Sequence, residues 1–136
     1  MTAKEYLLQY QRIEREIDRL LEERARWESL AEKVTPTPSK APGGSGSGDR
    51  VGMAAAKIVD LQREIDARVA ELIALRRQIV SFIHRLPPSQ LRDVLMLRYL
   101  CRCTWEQAAE RMGVSRQWAM TLHKQALAEL ENSKER

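Results

Sequence analysis

Apolar side chains recur in alternating steps of three and four along two stretches of the chain, residues 2–34 and residues 51–85. This heptad spacing is typical of helices that pack along an apolar seam, and Glu and Arg fill most positions between. We therefore predict one coiled-coil helix over residues 1–34 and a second over residues 53–86. The seam positions are Tyr6, Tyr10, Ile13, Ile17, Leu20, Trp27, Ala31 and Val34, then Val51, Ala54, Ile58, Leu61, Ile65, Leu72, Leu75, Ile79 and Phe82.

Residues 35–52 separate the two helices and are rich in Pro, Gly and Ser. Prolines lack the N–H that a helix interior needs and glycines raise chain entropy, so we predict a flexible loop. Its composition also resembles an engineered linker, but a natural hairpin tip is preferred because both heptad patterns run to its edge. In an antiparallel hairpin Val34 meets Val51, Leu20 meets Ile65 and Tyr10 meets Leu75, with roughly one heptad of slack in register. The competing arrangement pairs each straight helix with another chain.

Two arginines interrupt these seams. Arg24 and Arg68 occupy seam positions, and we expect their stems to lie along the seam while their charged heads reach solvent or a nearby Glu. A role in fixing register or partner number is the alternative. Trp27 is predicted to be a core residue at the far end of the hairpin.

A second apolar row lies beside the seam of the second helix and suggests that a third helix or a partner chain covers this helix. This row consists of Val69, Ile73, Val80 and Ile83.

The pattern changes at Pro87 and Pro88, which end the long helix near Leu86 because proline removes a helix donor. Pro88 suits a first helical position, and a helix is predicted from about Ser89 to Leu100. Its packing candidates are Leu91, Val94, Leu95, Leu97 and Tyr99.

Two short helical patterns follow, with a glycine between them. Thr104 and Gln107 have the spacing of a capping box, which predicts a helix from Trp105 to Met112. Gly113 can adopt the left-handed conformation of a helix end, and Ser115 can cap a last helix over residues 116–131. A helix, a turn centred on glycine and a second helix form the helix-turn-helix pattern. The small Ala108 and Ala109 permit close packing.

The last helix carries different side chains on its two sides. Ala119, Leu122 and Ala126 form an inward stripe, and polar side chains occupy the opposite side. Arg can bind guanine and Gln can bind adenine in a major groove, while a helix N-terminus suits a phosphate. The side chains proposed to face DNA are Ser115, Arg116, Gln117, Met120, Thr121 and Lys124. Trp118, beside them, is expected to pack on the Ser89–Leu100 helix or to stack on the sugar-phosphate backbone.

Composition narrows the class of protein. Charged residues make up 31% of the 136 residues and the net charge is +4, which weakly favours binding of nucleic acid.

The cysteines and histidines give no sign of a metal site. Cys101 and Cys103 are interpreted as reduced thiols, not a zinc site, because His84 and His123 lie at no metal-ligand spacing from them. Trp105 and His123 are expected to have packing or structural roles. No membrane span, signal peptide, cofactor motif or catalytic constellation is visible, so we expect a cytoplasmic protein that is not an enzyme.

The segment LPPSQLRDVLMLRYLCRCTWEQAAERMGVSRQWAMTLHKQALAEL resembles region 4 of the bacterial sigma-70 family. It shares the leading L-P, the L-R-Y-L, the T-W-E-Q-A-A helix and the G-V-S turn. The resemblance implies recognition of promoter DNA and contact with RNA polymerase. Met120 departs from the family's polar or basic residue. The whole layout is similar to small prophage-encoded proteins in a domain-of-unknown-function family, related to phage late-gene transcriptional activators.

These observations predict an all-α protein: a long antiparallel coiled-coil hairpin, then a helix-turn-helix domain over residues 87–131 and a tail over residues 132–136. The predicted function is sequence-specific binding of double-stranded DNA by a homo-oligomer, with a dimer favoured and no cofactor or metal. One alternative is an RNA polymerase or sigma interaction module. Another is a phage packaging protein resembling small terminase subunits, although those usually place the DNA-binding part first.

Overall fold

The computed structural model describes residues 1–34 and 45–134, and within these ranges every regular element is helical. The prediction of an all-α protein is therefore confirmed. The α-helices are α1 (Ala3–Val34), α2 (Ser45–Ile83), α3 (Gln90–Leu95), α4 (Trp105–Met112) and α5 (Arg116–Ser133), and α3 continues as a π-helical segment over Met96–Leu100.

Helix α2 begins at Ser45, inside the segment that the sequence predicted to be a loop over residues 35–52. Its start therefore lies earlier than the predicted residue 53. A glycine costs about 1 kcal/mol relative to Ala in a helix, but extending an existing helix avoids the cost of nucleation. The long apolar seam that follows supplies the nucleus from which the helix extends. Residues 35–44 of the predicted loop, and the contact expected between Val34 and Val51, lie outside what the structure describes.

The chain divides into two compact units. The hairpin unit comprises residues 15–70, and its buried apolar side chains come from both long helices: Ile17, Ala54, Leu61 and Ile65. Within it Arg24 Nη1 donates to Gln62 Oε1, and Arg68 Nε lies 3.1 Å from Glu16 Oε2. The residue numbers of each pair add up to nearly the same value, which is the relationship that antiparallel helices require.

The two seam arginines behave as the sequence predicted. Arg24 is half-buried and its Nε lies 3.3 Å from Glu28 Oε1, while Arg68 reaches Glu16 on the other helix. Both charged heads therefore lie beside a nearby carboxylate, as expected. Trp27 is only half-buried, and its indole N–H donates to Glu23 Oε1 at 3.1 Å. The prediction that Trp27 is a core residue is therefore wrong, because the polar edge of the indole keeps the ring near the surface.

The second unit, called the C-terminal unit below, comprises residues 1–14 and 71–136. It is larger than the domain predicted over residues 87–131, because the start of α1 and the end of α2 contribute to its core. Leu7 and Ile79 have no exposed surface, and Ala3 N donates to Glu131 Oε1 at 3.0 Å. The remaining core side chains are Ala3, Tyr10, Phe82, Ile83, Leu86, Val94, Leu95, Tyr99, Leu100, Ala109, Ala119, Leu122, Ala126 and Leu130.

The junction between α2 and α3 is held by one arginine. Arg92 Nε donates to Leu86 O at 3.1 Å, and its Nη2 donates to His84 O at 3.3 Å. These carbonyls lie just beyond the end of α2, and the guanidinium satisfies backbone acceptors that have left the helical hydrogen-bond pattern. This contact fixes where α3 leaves the long helix, after the two prolines.

Candidate nucleic-acid interface

Local side-chain to backbone hydrogen bonds set the start of both helices of the predicted motif. Gln107 N donates to Thr104 Oγ1 at 3.2 Å and Thr104 N donates to Gln107 Oε1 at 2.9 Å, so the capping box is confirmed. Ser115 Oγ accepts from Trp118 N at 3.1 Å at the start of α5. Between them Gly113 has φ +67°, a conformation that glycine adopts without the steric cost of a Cβ.

Small side chains let α5 approach its neighbours. Ala108 on α4 and Ala119 and Ala126 on α5 have no exposed surface, and Leu122 is 5% exposed. These are the residues that the sequence assigned to the inward sides of the two helices, and the assignment is confirmed. Because their side chains are short, the helix backbones pack closely and α5 is held firmly against α3 and α4.

The opposite side of α5 is open to solvent. All six side chains predicted to face DNA are exposed, and they lie between the N-cap and the third turn of the helix: Ser115, Arg116, Gln117, Met120, Thr121 and Lys124. This set is called the α5 face below. The helix begins at Arg116, so its unpaired backbone N–H groups lie at the same end as these side chains.

Three members of the α5 face already have polar partners within the chain. Arg116 Nη1 lies 3.1 Å from Glu106 Oε1 on α4, and both side chains are largely exposed. Thr121 Oγ1 donates to Gln117 O at 3.0 Å, so this hydroxyl proton is used inside the helix. The Ser115 hydroxyl is likewise engaged as the helix cap. The long side chains of the α5 face whose ends are not engaged in these contacts are therefore Gln117, Met120 and Lys124.

A polar cluster behind the α5 face fixes the helix against α3 and α4. The hydroxyl oxygen of Tyr99 lies 2.7 Å from His123 Nε2, and the His123 ring meets Trp105 edge to face with 5.0 Å between centroids. The Arg98 guanidinium lies 4.2 Å from the Trp105 ring centroid. The structural roles predicted for His123 and Trp105 are confirmed. The sequence did not reveal that Tyr99 is the partner of His123, because they are distant in the chain.

Burial controls the protonation of this cluster. Desolvation lowers the pKa of His123 to about 4, with smaller contributions from the positive charges of Arg98 and Lys4. Desolvation also raises the pKa of Tyr99 to about 12, against the opposing effect of Arg98. At neutral pH the phenol therefore keeps its proton and the imidazole is neutral. The imidazole tautomer sets the direction of this bond: Tyr99 Oη–H donates to Nε2 when Nδ1 carries the proton, and Nε2–H donates to Tyr99 Oη in the other tautomer.

The comparison with family models assigns the helices that carry the α5 face to a known type of domain. Residues 82–132 match the family model described as Sigma-70, region 4. These residues form a sigma-70 region 4-like helix-turn-helix. The match includes α3, the π-helical segment, α4 and nearly all of α5, and it agrees with the resemblance found in the sequence. Searches of curated proteins and of solved structures each found no match to this chain.

The region 4-like helix-turn-helix is a DNA-binding type of domain that occurs in sigma factors and in regulators. The match begins at the end of α2, so α1 and most of α2 lie outside it. The compact C-terminal unit nevertheless includes residues 1–14. The DNA-binding type of domain therefore packs on part of the long N-terminal helix of the same chain.

Trp118 lies beside the α5 face, and 48% of the residue is exposed. Its ring is therefore not part of the apolar core of the C-terminal unit. The expected packing of this ring on the Ser89–Leu100 helix stays a prediction. The alternative, in which the ring stacks on a sugar-phosphate backbone, stays a prediction.

Two further predictions from the sequence concern a metal site and a membrane-spanning helix. Cys101 is exposed and Cys103 is buried, and both are free thiols. Among the described residues no group of His, Cys, Asp and Glu side chains has the arrangement of a metal site. Across residues 1–34 and 45–134, no helix combines the length and the apolar character that crossing a bilayer requires.

Proposed function

We propose that this protein is a sequence-specific DNA-binding transcriptional regulator, not an enzyme, and that α5 lies in the major groove of duplex DNA. The observation that carries the proposal is the α5 face, where six side chains suited to bases and phosphates are all exposed on a region 4-like helix. Arg116 and Gln117 can bind guanine and adenine edges, and Lys124 can bind a phosphate. The similarity of the layout to small prophage-encoded proteins supports a phage-encoded regulator.

The experiment is a fluorescence anisotropy titration of the full chain with duplexes selected from a random pool. The Arg116→Ala, Lys124→Ala double variant should bind at least about tenfold more weakly, because a good base contact and a phosphate contact are lost. A matched control removes two exposed cations of α2, Lys57→Ala and Arg63→Ala, and should retain the affinity of the wild type. Equal affinities of the α5 variant and the wild type would remove DNA recognition by α5.

We extend the proposal to a homodimer that presents two α5 faces. The hairpin unit exposes several large apolar side chains, which is the kind of surface that a partner chain covers. They are Leu21, Leu30, Met53, Val59 and Val69. Two linked DNA-binding domains also gain affinity from the second contact, since it forms at a high effective concentration. A mass measurement in solution tests this, and a monomer at micromolar concentration would contradict it.

Contact with RNA polymerase is a second candidate function, and a groove between α3 and α4 favours it. The groove has a volume of about 390 Å³, with Met96, Leu97 and Met112 as its apolar lining and Asp93 and Arg111 among its charged residues. An apolar floor with charged rim groups suits an inserted protein side chain. In this case Arg111→Glu should weaken capture of RNA polymerase while DNA affinity changes little. Equal capture of RNA polymerase by the wild type and by Arg111→Glu would contradict the role of the groove.

A further inference from the structure

Met120 is an apolar side chain in the middle of a polar surface. It is 43% exposed and lies outside the apolar core of the C-terminal unit. Arg116 and Lys124, one helical turn before it and one turn after it, are both exposed on the same side of α5. The exposed part of this thioether chain lies between two cations, at the position where the proposed duplex would meet the helix.

The neighbours of Met120 leave it as the side chain best placed for an apolar contact on this face. Thr121 uses its hydroxyl proton on Gln117 O, and Arg116 lies against Glu106. Methionine is long and unbranched, and its flexible stem follows an irregular surface better than a β-branched side chain does. If α5 enters a major groove, the cations on either side meet phosphates or bases while Met120 extends toward the groove floor.

Only one of the four DNA bases presents an apolar group in the major groove. Thymine carries a C5 methyl there, whereas the other bases present hydrogen-bond donors and acceptors. A methionine on the groove floor would leave such donors and acceptors without partners opposite a guanine or a cytosine, and this is unfavourable. Opposite a thymine it buries the methyl group against the thioether chain.

We propose that Met120 is a specificity-determining residue that selects a thymine in the DNA site by packing on its C5 methyl group. The inference rests on the proposed function, because it requires α5 to lie in the major groove. It goes further by naming the base and the chemical group that one side chain recognises. Removal of the thymine methyl should weaken binding by about fourfold, the value for burying one methylene-sized group.

The test compares thymine with deoxyuridine, which lacks only the methyl group. Duplexes selected from a random pool by the full-length wild type are resynthesised with each thymine replaced in turn by deoxyuridine, and affinities are measured for wild type, Met120→Ala and Met120→Leu. We expect one position at which the replacement weakens the wild type about fourfold. The same replacement should leave Met120→Ala binding unchanged and should still weaken Met120→Leu, which retains an apolar chain. Gln125→Ala, at an exposed residue of α5 outside the α5 face, should respond as the wild type does.

The outcomes separate the inference from the proposed function. If the wild type selects particular duplexes but shows no thymine position sensitive to the methyl group, or if Met120→Ala shows the same sensitivity, the inference is overturned while DNA binding stands. If Met120→Ala instead loses capture of RNA polymerase and shows no change toward DNA, Met120 packs on protein and the inference is likewise overturned. If the wild type binds no duplex, the proposed function fails and the inference fails with it.

Discussion

Tyr99 and His123 form a hydrogen bond of 2.7 Å that ties the end of the π-helical segment to the middle of α5. Their rings also stack, with 5.6 Å between centroids. This pair lies directly behind the α5 face, so it holds that face in position without taking part in it. Lys124, the next residue in the chain, is exposed and belongs to the α5 face.

Protonation of His123 should destabilise the fold in a defined pH window. The folded state lowers the pKa of His123 to about 4 from the ordinary 6.5, so between these values the unfolded chain binds a proton that the folded chain does not. The stability that the neutral imidazole contributes is thus complete above pH 6.5 and is lost as the pH falls toward 4. Because His123 is partly exposed, we expect a loss of about 1–2 kcal/mol.

Urea unfolding from pH 7 to pH 4 measures this effect as the difference in unfolding free energy between wild type and His123→Gln. The difference should shrink as the pH falls through the window. His84→Gln, at an exposed histidine, serves as the control and should follow the wild type. A difference between wild type and His123→Gln that stays constant with pH would contradict the assignment of a neutral, buried imidazole.

The capping box at α4 should contribute measurably to stability. Thr104→Ala removes the acceptor for Gln107 N and should lower the unfolding free energy by about 1 kcal/mol, since a lost N-cap leaves a helix donor unsatisfied. Thr104→Ser retains a hydroxyl and should lose much less. Thermal unfolding followed by circular dichroism gives both values. Equal midpoints for the Ala and Ser variants would show that the cap does not stabilise the helix.

Leu7 should stabilise α5 although the two lie at opposite ends of the sequence. Leu7 has no exposed surface in the core of the C-terminal unit, so Leu7→Ala should cost about 3 kcal/mol through lost burial and a cavity. Amide hydrogen exchange should then show faster exchange throughout α5. The control is Leu30→Ala, at a 46% exposed leucine of α1, which should leave these rates unchanged. Unchanged α5 protection in Leu7→Ala would mean that the region 4-like domain is stable without α1.

Glu106 should compete with DNA for Arg116. Its carboxylate lies 3.1 Å from the guanidinium, and both groups are largely exposed, so the ion pair itself contributes little stability. Glu106→Gln should therefore leave the unfolding midpoint unchanged and strengthen duplex binding about threefold by removing a negative charge beside the phosphates. Glu110→Gln, one turn later on α4, controls for general charge. Weaker binding by Glu106→Gln would show that Glu106 orients Arg116 for DNA and does not compete with it.

The sequence predicted the helices and the motif well because their determinants are local. Heptad spacing, the Thr104–Gln107 capping box and the glycine at position 113 each depend on residues a few positions apart. The open side of α5 also followed from periodicity. The residues 1–14 that complete the core could not be assigned, since the seam pattern of α1 gives no sign that its partner changes along its length.

The errors concern one aromatic side chain and a helix start, where tertiary packing decides. Trp27 was predicted to be a core residue because it occupies a seam position of α1, but the residue is only half-buried and its indole N–H donates to Glu23. The Tyr99–His123 bond could not be predicted because it depends on how the π-helical segment and α5 pack in three dimensions. The early start of α2 at Ser45 reflects helix extension through a glycine-rich sequence that composition alone assigns to a loop.

The most direct test of DNA recognition by α5 is a backbone amide NMR titration of the protein, at 15.7 kDa, with a selected duplex. We predict that the largest chemical-shift changes cover residues 115–124, with smaller changes at Glu106 on α4 and none along residues 15–34. Saturable changes confined to other surfaces, with the amides of residues 115–124 unmoved, would contradict the account.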